Sequence, residues 1–392
     1  MRILHTADWH FGRTLEGRSR LAEQEAFVDE LALLVKEQQI DLVLLAGDVY
    51  DSVNPPAAAE QLFYDALARL SDQGQRPVYV IAGNHDHPDR LAAADPLAHK
   101  LGVTLVGLPE ARVHTVDIRR TGETAVLFAL PYPSESRLRE LLSEGADETL
   151  LRAVYSERVR HIVAEQAKHY RADTVNLLMS HLYVLGGQET ESERPIQVGG
   201  AYTVDTSALE AGAQYVALGH LHRPQFLKSE KTTIRYSGSP LAYSFSEAGQ
   251  AKSVTVLDLK PGAAPQLEEI FLSSGRPLVE WKAKGGLAEV HRWLDEGKDA
   301  NAWIDLEVHL QETMSMEQLH RLRLARDGFI HIRPVYPDLE ASLQEAVSAT
   351  KLPMDELFRR FYERQTGGAQ PEPELILLFL ELLHTEEDDP AV

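Results

Sequence analysis

The chain has no cysteine among its 392 residues. That excludes thiolate-held zinc and iron–sulfur clusters, and it agrees with a reducing compartment, the cytoplasm. No apolar run approaches the roughly 18 residues of a membrane helix. Met1-Arg2-Ile3 leads into a strand pattern rather than a signal peptide, and internal repeats and low-complexity tracts are absent. Positive charge is scarce: Lys+Arg 39 against Asp+Glu 60 gives a net charge of -21. Affinity for a nucleic-acid backbone comes from lysine and arginine neutralising phosphates, so this balance speaks against simple charge-driven DNA binding. A third of the excess, however, lies in residues 370–392, which hold seven acids and no lysine or arginine. At this length and 44% hydrophobic content the chain can bury a large core and divide into two or three domains.

Short apolar runs at Ile3 to His5, Leu42 to Ala46, Val78 to Ile81, Val175 to Met179 and Tyr215 to Leu218 read as buried strands. Helical patterns at residues 20–37 and 57–70 carry the stripes Phe27, Leu31, Leu34 and Leu62, Ala66, Leu70, which would cover a sheet. A polar motif follows each strand: Asp8-Trp9-His10, Gly47-Asp48, Gly83-Asn84-His85-Asp86, Ser180-His181 and Gly219-His220-Leu221-His222. Each alone has a plain alternative as a turn, a helix cap or a hydrogen-bonded histidine. Their conjunction in one order, at the strand ends where ligands collect in α/β sheets, supplies enough donors for two metal ions. A carboxylate such as Asp48 can span two cations about 3.5–4 Å apart, whereas an imidazole offers one nitrogen to one ion. His220 and His222, two apart on an extended segment, would face the same way and serve one ion each. The mixed imidazole, carboxylate and amide set suits manganese, iron or zinc better than magnesium.

These motifs resemble those of the calcineurin-like metallophosphoesterases, and within them the SbcD nucleases. The likeness covers about the first 245 residues, including Tyr236-Ser237-Gly238-Ser239-Pro240 and Ser244-Phe245-Ser246-Glu247. It implies an α/β fold: a layered sandwich of two mixed β-sheets flanked by helices over residues 1–275, a small α+β capping domain over 276–337, and C-terminal helices within 338–392. It also implies two divalent ions, with Mn²⁺ favoured: Asp8, His10 and His222 on the first, Asn84, His181 and His220 on the second, Asp48 bridging. His85 would face the phosphate, to stabilise the transition state or protonate the leaving oxygen, with Asp86 either orienting it or only closing a turn. Archaeal and eukaryotic relatives commonly carry a histidine where Asp51 stands, so the aspartate looks bacterial, and Asp51 could touch substrate, support the site or cap the helix after Pro55-Pro56. Arg13, Arg18 and Arg20, in a loop beside the first motif, could track a DNA backbone or be a solvated loop.

The implied activity is hydrolysis of DNA phosphodiesters, 3'-5' exonuclease and single-strand endonuclease. It would be exerted with an SbcC-type coiled-coil ATPase, by a homodimer within a heterotetramer. The alternatives are a metallophosphoesterase for a small phosphodiester or phosphomonoester, or a phosphoprotein, and an inactive metal-binding scaffold. No arginine follows Asp51, and Asp86 stands where phosphoprotein phosphatases carry glutamate, which weighs against a phosphoprotein substrate. Downstream, strands at Leu278 to Trp281, Ala302 to Leu310 and Phe329 to Val335 alternate with helices at Val290 to Leu294 and Met316 to Ala325. Met354, Leu357, Phe358, Phe361 and Tyr362 recur at helical spacing before Gly367-Gly368, and residues 375–383, with Leu377, Phe379 and Leu380, are apolar nearly all round. This helical pair either folds back on the capping domain or, tethered by residues 338–352, docks the ATPase partner.

Overall fold

A computed structural model describes residues 1–134, 148–194, 202–336, 353–365 and 370–386. Gly367-Gly368, the tether 338–352 and the acidic end after 386 lie outside these. Contacts divide the chain into two compact units: residues 1–280, 299–305 and 327–331, and residues 281–298, 306–326 and 332–392.

The first unit is built on two six-stranded sheets. One runs Gln266–Phe271, Ser253–Asp258, Arg2–Thr6, Leu42–Leu45, Val78–Ile81, Val103–Val106. Its last four strands are parallel and its first two antiparallel. The other runs Gln225–Leu227, Thr233–Tyr236, Tyr215–Gly219, Val175–His181, Thr124–Leu130, Val113–Asp117, with parallel pairing in the middle and an antiparallel strand at each edge. Both sheets are therefore mixed.

Alternation along each strand divides the core. Ile3, Leu42, Leu44, Tyr79 and Ile81 from the first sheet meet Ala125, Leu127, Val175, Leu177, Met179 and Tyr215 from the second. The residues between them face outward. Leu4, Val43, Leu45, Val78 and Val80 pack under helices Leu21–Glu37 and Ala57–Ser71, whose Phe27, Leu31, Leu34, Leu62, Ala66 and Leu70 are all buried. Phe128, Leu130, Leu178, Val216 and Leu218 lie with Tyr155, Val159 and Val163 of helix Glu148–Ala167. Strands covered on both faces lose the polar alternation of a half-exposed sheet, which is why these read as continuous apolar runs. Each such large side chain contributes about 1.5–3 kcal/mol by leaving water.

Strands Leu278–Ala283, Trp303–His309 and Phe329–Val335 form a three-stranded sheet with Trp303–His309 central. Helices Gly286–Asp295 and Met316–Ala325 connect them. The second of these starts with a capping box, Ser315 to Gln318, which satisfies two of its free N–H groups. Within the second unit, helices Met354–Gln365 and Pro373–Glu386 pack on each other, the Phe358 and Phe379 rings stacked with centroids 4.3 Å apart. Phe358 and Phe379 thus fill part of each other's apolar face. Met354, Phe361 and Leu377 stay 53%, 59% and 63% exposed. Among the described residues no helix is long and apolar enough to cross a membrane.

Candidate metal centre

All five motifs leave the carboxyl ends of parallel strands, and the register aligns them. His5 pairs with Leu44, Leu45 with Val80, and Gly219 with His181, so the loops that follow converge. Asp8, His10, Asp48, His181, His220 and His222 are all essentially inaccessible, while Asn84 is half-buried and His85 9% exposed. The mouth of the site therefore lies at Asn84 and His85.

Four of these residues take a left-handed backbone conformation: Asp8 (φ 56), His10 (φ 46), Asp48 (φ 49) and His220 (φ 105). Each costs roughly 1–3 kcal/mol, strain that neighbouring structure must hold and that clusters at functional sites. The extended segment expected for His220 and His222 is not what places them. The strand ends at Gly219, and the turn at His220 sends its Nδ1 to 3.2 Å from Asn84 Oδ1, while His222 Nε2 stands 3.0 Å from His10 Nε2. Two glycines are dictated by crowding. A Cβ on Gly83 would lie 2.0 Å from Asp48 Oδ1, and one on Gly47 2.3 Å from His181 Nδ1.

Among the described residues three groups of possible ligands come together: Asp8, His10, His222; Asp48, His181, His220; and His10, Asp51, His85. The first two are the expected trios, with Asn84 Oδ1 beside the second. Asp48 Oδ2 stands between them, 3.4 Å from His181 Nε2 and 3.7 Å from His10 Nε2, while Oδ1 accepts from the His85 backbone N–H at 2.9 Å. The donor set suits divalent cations. Asp8 Oδ2 is buried without a hydrogen-bond partner. An unpaired buried carboxylate oxygen is costly unless positive charge lies beside it. His181 Nδ1 donates to the Ala46 carbonyl at 2.9 Å, and its Nε2 lies 2.9 Å from Asn84 Oδ1. Burial lowers the proton affinity of the His181 imidazole, yet Asp48 and Asp8 outweigh it and push its pKa up to about 9. Burial and neighbouring cations or imidazoles hold His10 and His220 well below the usual histidine range, so both present neutral nitrogens.

Three backbone N–H groups bind the Asp86 carboxylate. Its Oδ2 accepts from Gly83 N at 2.8 Å and Val49 N at 3.1 Å, its Oδ1 from Tyr50 N at 3.0 Å, tying the Asp48 loop to the Asn84 loop. Burial and the charge of Asp48 lift this carboxyl to about 6 against those three N–H groups. His85 places Nδ1 2.7 Å from the Asp51 carbonyl oxygen, its ring 4.8 Å from the His10 ring. Asp51 lies beside the site: its Oδ1 is 3.7 Å from His10 Nδ1 and 3.7 Å from Arg13 Nη1. The helix after Pro55-Pro56 is capped at Pro56 with no side-chain cap bond.

The basic loop divides. Arg18 is exposed. Arg13 is half-buried beside the site, its Nη2 donating to the Ser192 carbonyl at 2.8 Å and its guanidinium 5.1 Å from the Tyr243 ring centre. Arg20 is a correction: it is buried, bound to Glu23 at 2.5 and 2.7 Å and to the Ala242 carbonyl at 2.9 Å, and has no face left for a phosphate. The sequence reading missed Ser192, Glu193 and Lys252, which surround His222. Ser239 N donates to the His222 carbonyl at 3.1 Å, and Lys252 binds that carbonyl, Ser239 and the buried Glu247. The Tyr236 to Glu247 stretch therefore backs the metal loop, a role its turn-forming residues do not announce.

Buried carboxylates, imidazoles and an amide at the joined strand ends of a two-sheet sandwich define a metallophosphoesterase, and residues 1–224 match the family described as "Calcineurin-like phosphoesterase". Residues 274–366 match a second, "Type 5 capsule protein repressor C-terminal domain". Over 391 residues, all of both chains, the protein is 55% identical to the SbcD component of the SbcCD nuclease of Bacillus subtilis. It is 39% identical over 303 residues, 73% of this chain and 72% of the other, to the protein of the same name in Rhodobacter capsulatus. The chain belongs to the SbcD nuclease family, and it is a metal-dependent hydrolase.

Proposed function

We propose that the protein hydrolyses DNA phosphodiester bonds with two divalent ions, Mn²⁺ by preference, as the nuclease subunit of a complex with an SbcC-type coiled-coil ATPase. Within that complex it would be a homodimer in a heterotetramer, processing DNA ends and hairpins in the cytoplasm. The observation that carries this reading is the convergence of seven ligand-type side chains from five strand ends in a chain aligned end to end with a nuclease component.

Asp8, His10 and His222 would hold one ion, Asn84, His181 and His220 the other, and Asp48 both. Held there, such ions would supply Lewis-acid charge for the phosphate and for the entering and leaving oxygens, and would lower the pKa of water. The chain's own residues do the rest. His85, its Nδ1 directed to the Asp51 carbonyl, would present its other nitrogen to the phosphodiester, placed to hand a proton to the leaving oxygen. Arg13, steered by Asp51, Ser192 and Tyr243, offers charge to an approaching phosphate. For the partner, Met354, Phe361, Leu375, Leu377 and Leu378 are exposed apolar residues of the C-terminal helical pair.

Nuclease assays with Mn²⁺ on single- and double-stranded DNA, beside a generic phosphodiester, test the substrate. Asp48→Ala should abolish cleavage and lose close to two ions per chain at limiting metal. Preference for the generic substrate, or an Asp48→Ala variant that keeps both ions and cleaves DNA, refutes the reading. Phe361→Asp should keep nuclease activity and lose the ATPase in pull-down; undiminished capture removes the docking role.

A further inference from the structure

The His222 imidazole touches a hydrogen-bond chain that the metal ligands do not include. Its Nδ1 is 2.5 Å from Ser192 Oγ, Ser192 Oγ is 2.8 Å from Thr190 Oγ1, and Thr190 Oγ1 is 2.6 Å from Glu193 Oε2. The other oxygen of the same carboxylate, Glu193 Oε1, accepts the His222 backbone N–H at 2.8 Å.

The direction of this chain follows from its end. A carboxylate only accepts, so the Thr190 hydroxyl donates to Glu193. Its oxygen is then free to accept from the Ser192 hydroxyl, and Ser192 in turn accepts from His222 Nδ1–H. Nδ1 carries the proton, and Nε2, 3.0 Å from His10 Nε2, is left as a bare lone pair aimed into the first trio. Glu247 Oε1, 3.8 Å from Nδ1, favours the same protonated Nδ1. Ser192 and Glu193 are both buried, so water does not substitute readily for either.

We infer that Thr190, Ser192 and Glu193 form a tautomer lock on His222, positioning residues that set its ring and its bare Nε2 for the ion shared with Asp8 and His10. The inference rests on the two-ion reading and adds to it a selectivity: losing the lock weakens one ion and spares the other. Outer partners of a ligating imidazole typically change metal affinity about 10–100-fold.

The experiment is a Mn²⁺ titration of the metal-free full-length protein, followed by calorimetry and bound-metal analysis. The wild type, Ser192→Ala, Ser192→Thr and Thr190→Val are compared, with metal-free melting temperature and the nitrogen NMR shifts of His222 recorded beside them. Ser192→Ala should weaken one of two sites by about 10–100-fold, leave the second at wild-type affinity and shift His222 away from the Nδ1–H form. Ser192→Thr, which keeps the hydroxyl, should restore most of it, and Thr190→Val should lie between. Two sites of wild-type affinity in Ser192→Ala, an equal loss at both, or a melting-temperature drop with unchanged His222 nitrogen shifts each overturn the lock. A wild type that binds fewer than two ions overturns the two-ion reading itself, and the lock with it.

Discussion

Replacing Asp86 by alanine separates a catalytic carboxylate from a structural one. The side chain is 1% exposed and accepts three backbone N–H bonds, from Gly83, Val49 and Tyr50. A hydrogen bond to a charged group is worth about 1.5–3 kcal/mol, and alanine would leave three buried donors unpaired. The simple sum is an upper limit. Burial and Asp48 already lift the carboxyl to about 6, which offsets part of the gain. Three contacts on one group are also not additive. A loss of about 3–6 kcal/mol follows, a large share of the roughly 5–15 kcal/mol that holds a typical domain. Denaturant unfolding of the metal-free protein measures it. Asp86→Asn keeps one acceptor oxygen and should lose about half as much. Since the stapled loops carry Asp48, Asn84 and His85, metal content should fall together with activity. An Asp86→Ala protein of wild-type stability and full metal content that no longer cleaves would refute the staple and return Asp86 to the chemistry.

His85→Gln should keep both ions while the single-turnover cleavage rate drops about 100-fold or more, the scale of removing a general acid; equal loss of metal would make His85 a ligand. Arg20→Ala should cost about 3 kcal/mol in denaturant unfolding, the lower end for breaking a buried ion pair, because Glu23 keeps Arg276 N at 2.7 Å and Trp303 Nε1 at 2.9 Å. Arg18→Ala, exposed, should leave stability unchanged, and equal stabilities for the two variants would contradict the burial argument. His5 gives a pH signature. Burial first, then the charge of Arg235, brings its pKa down to about 3, so the folded state keeps it neutral. Its contribution is complete above the unfolded value near 6.5 and falls as pH drops toward 3, since the unfolded chain then binds more protons. Metal-free His5→Gln should therefore show a shallower loss of stability between about pH 6.5 and 4.5 than the wild type, by up to ~1.4 kcal/mol per pH unit; parallel curves would exclude the buried neutral imidazole.

Much of this protein is legible in its linear order because the physics involved is local. Side-chain alternation and strand-length apolar runs mark Leu42–Leu45 and Val78–Ile81, and helical stripes mark Leu21–Glu37 and Ala57–Ser71. A ligand needs a particular atom, which a residue type supplies wherever it stands, so Asp8, Asp48 and Asn84 announce themselves by chemistry and by following a strand, and His181 by ending one.

Which partner each side chain meets is decided only by the tertiary structure. Arg20 lies two residues from Arg18, yet packing around Glu23 and Ala242 buries one and leaves the other in water. Asp86 adjoins His85 in sequence but spends its oxygens on Val49 and Tyr50, which sheet pairing brings alongside. Asp51 reaches His10 rather than the helix that follows it. His222 takes its proton geometry from Thr190, Ser192 and Glu193, about thirty residues away, with no periodicity to mark them. Residue type and local spacing fix which atoms are available and which face of an element they share. Hydrogen-bond polarity, burial and the left-handed turns at Asp8, His10, Asp48 and His220 depend on distant strands meeting in one register, and only the folded chain sets that.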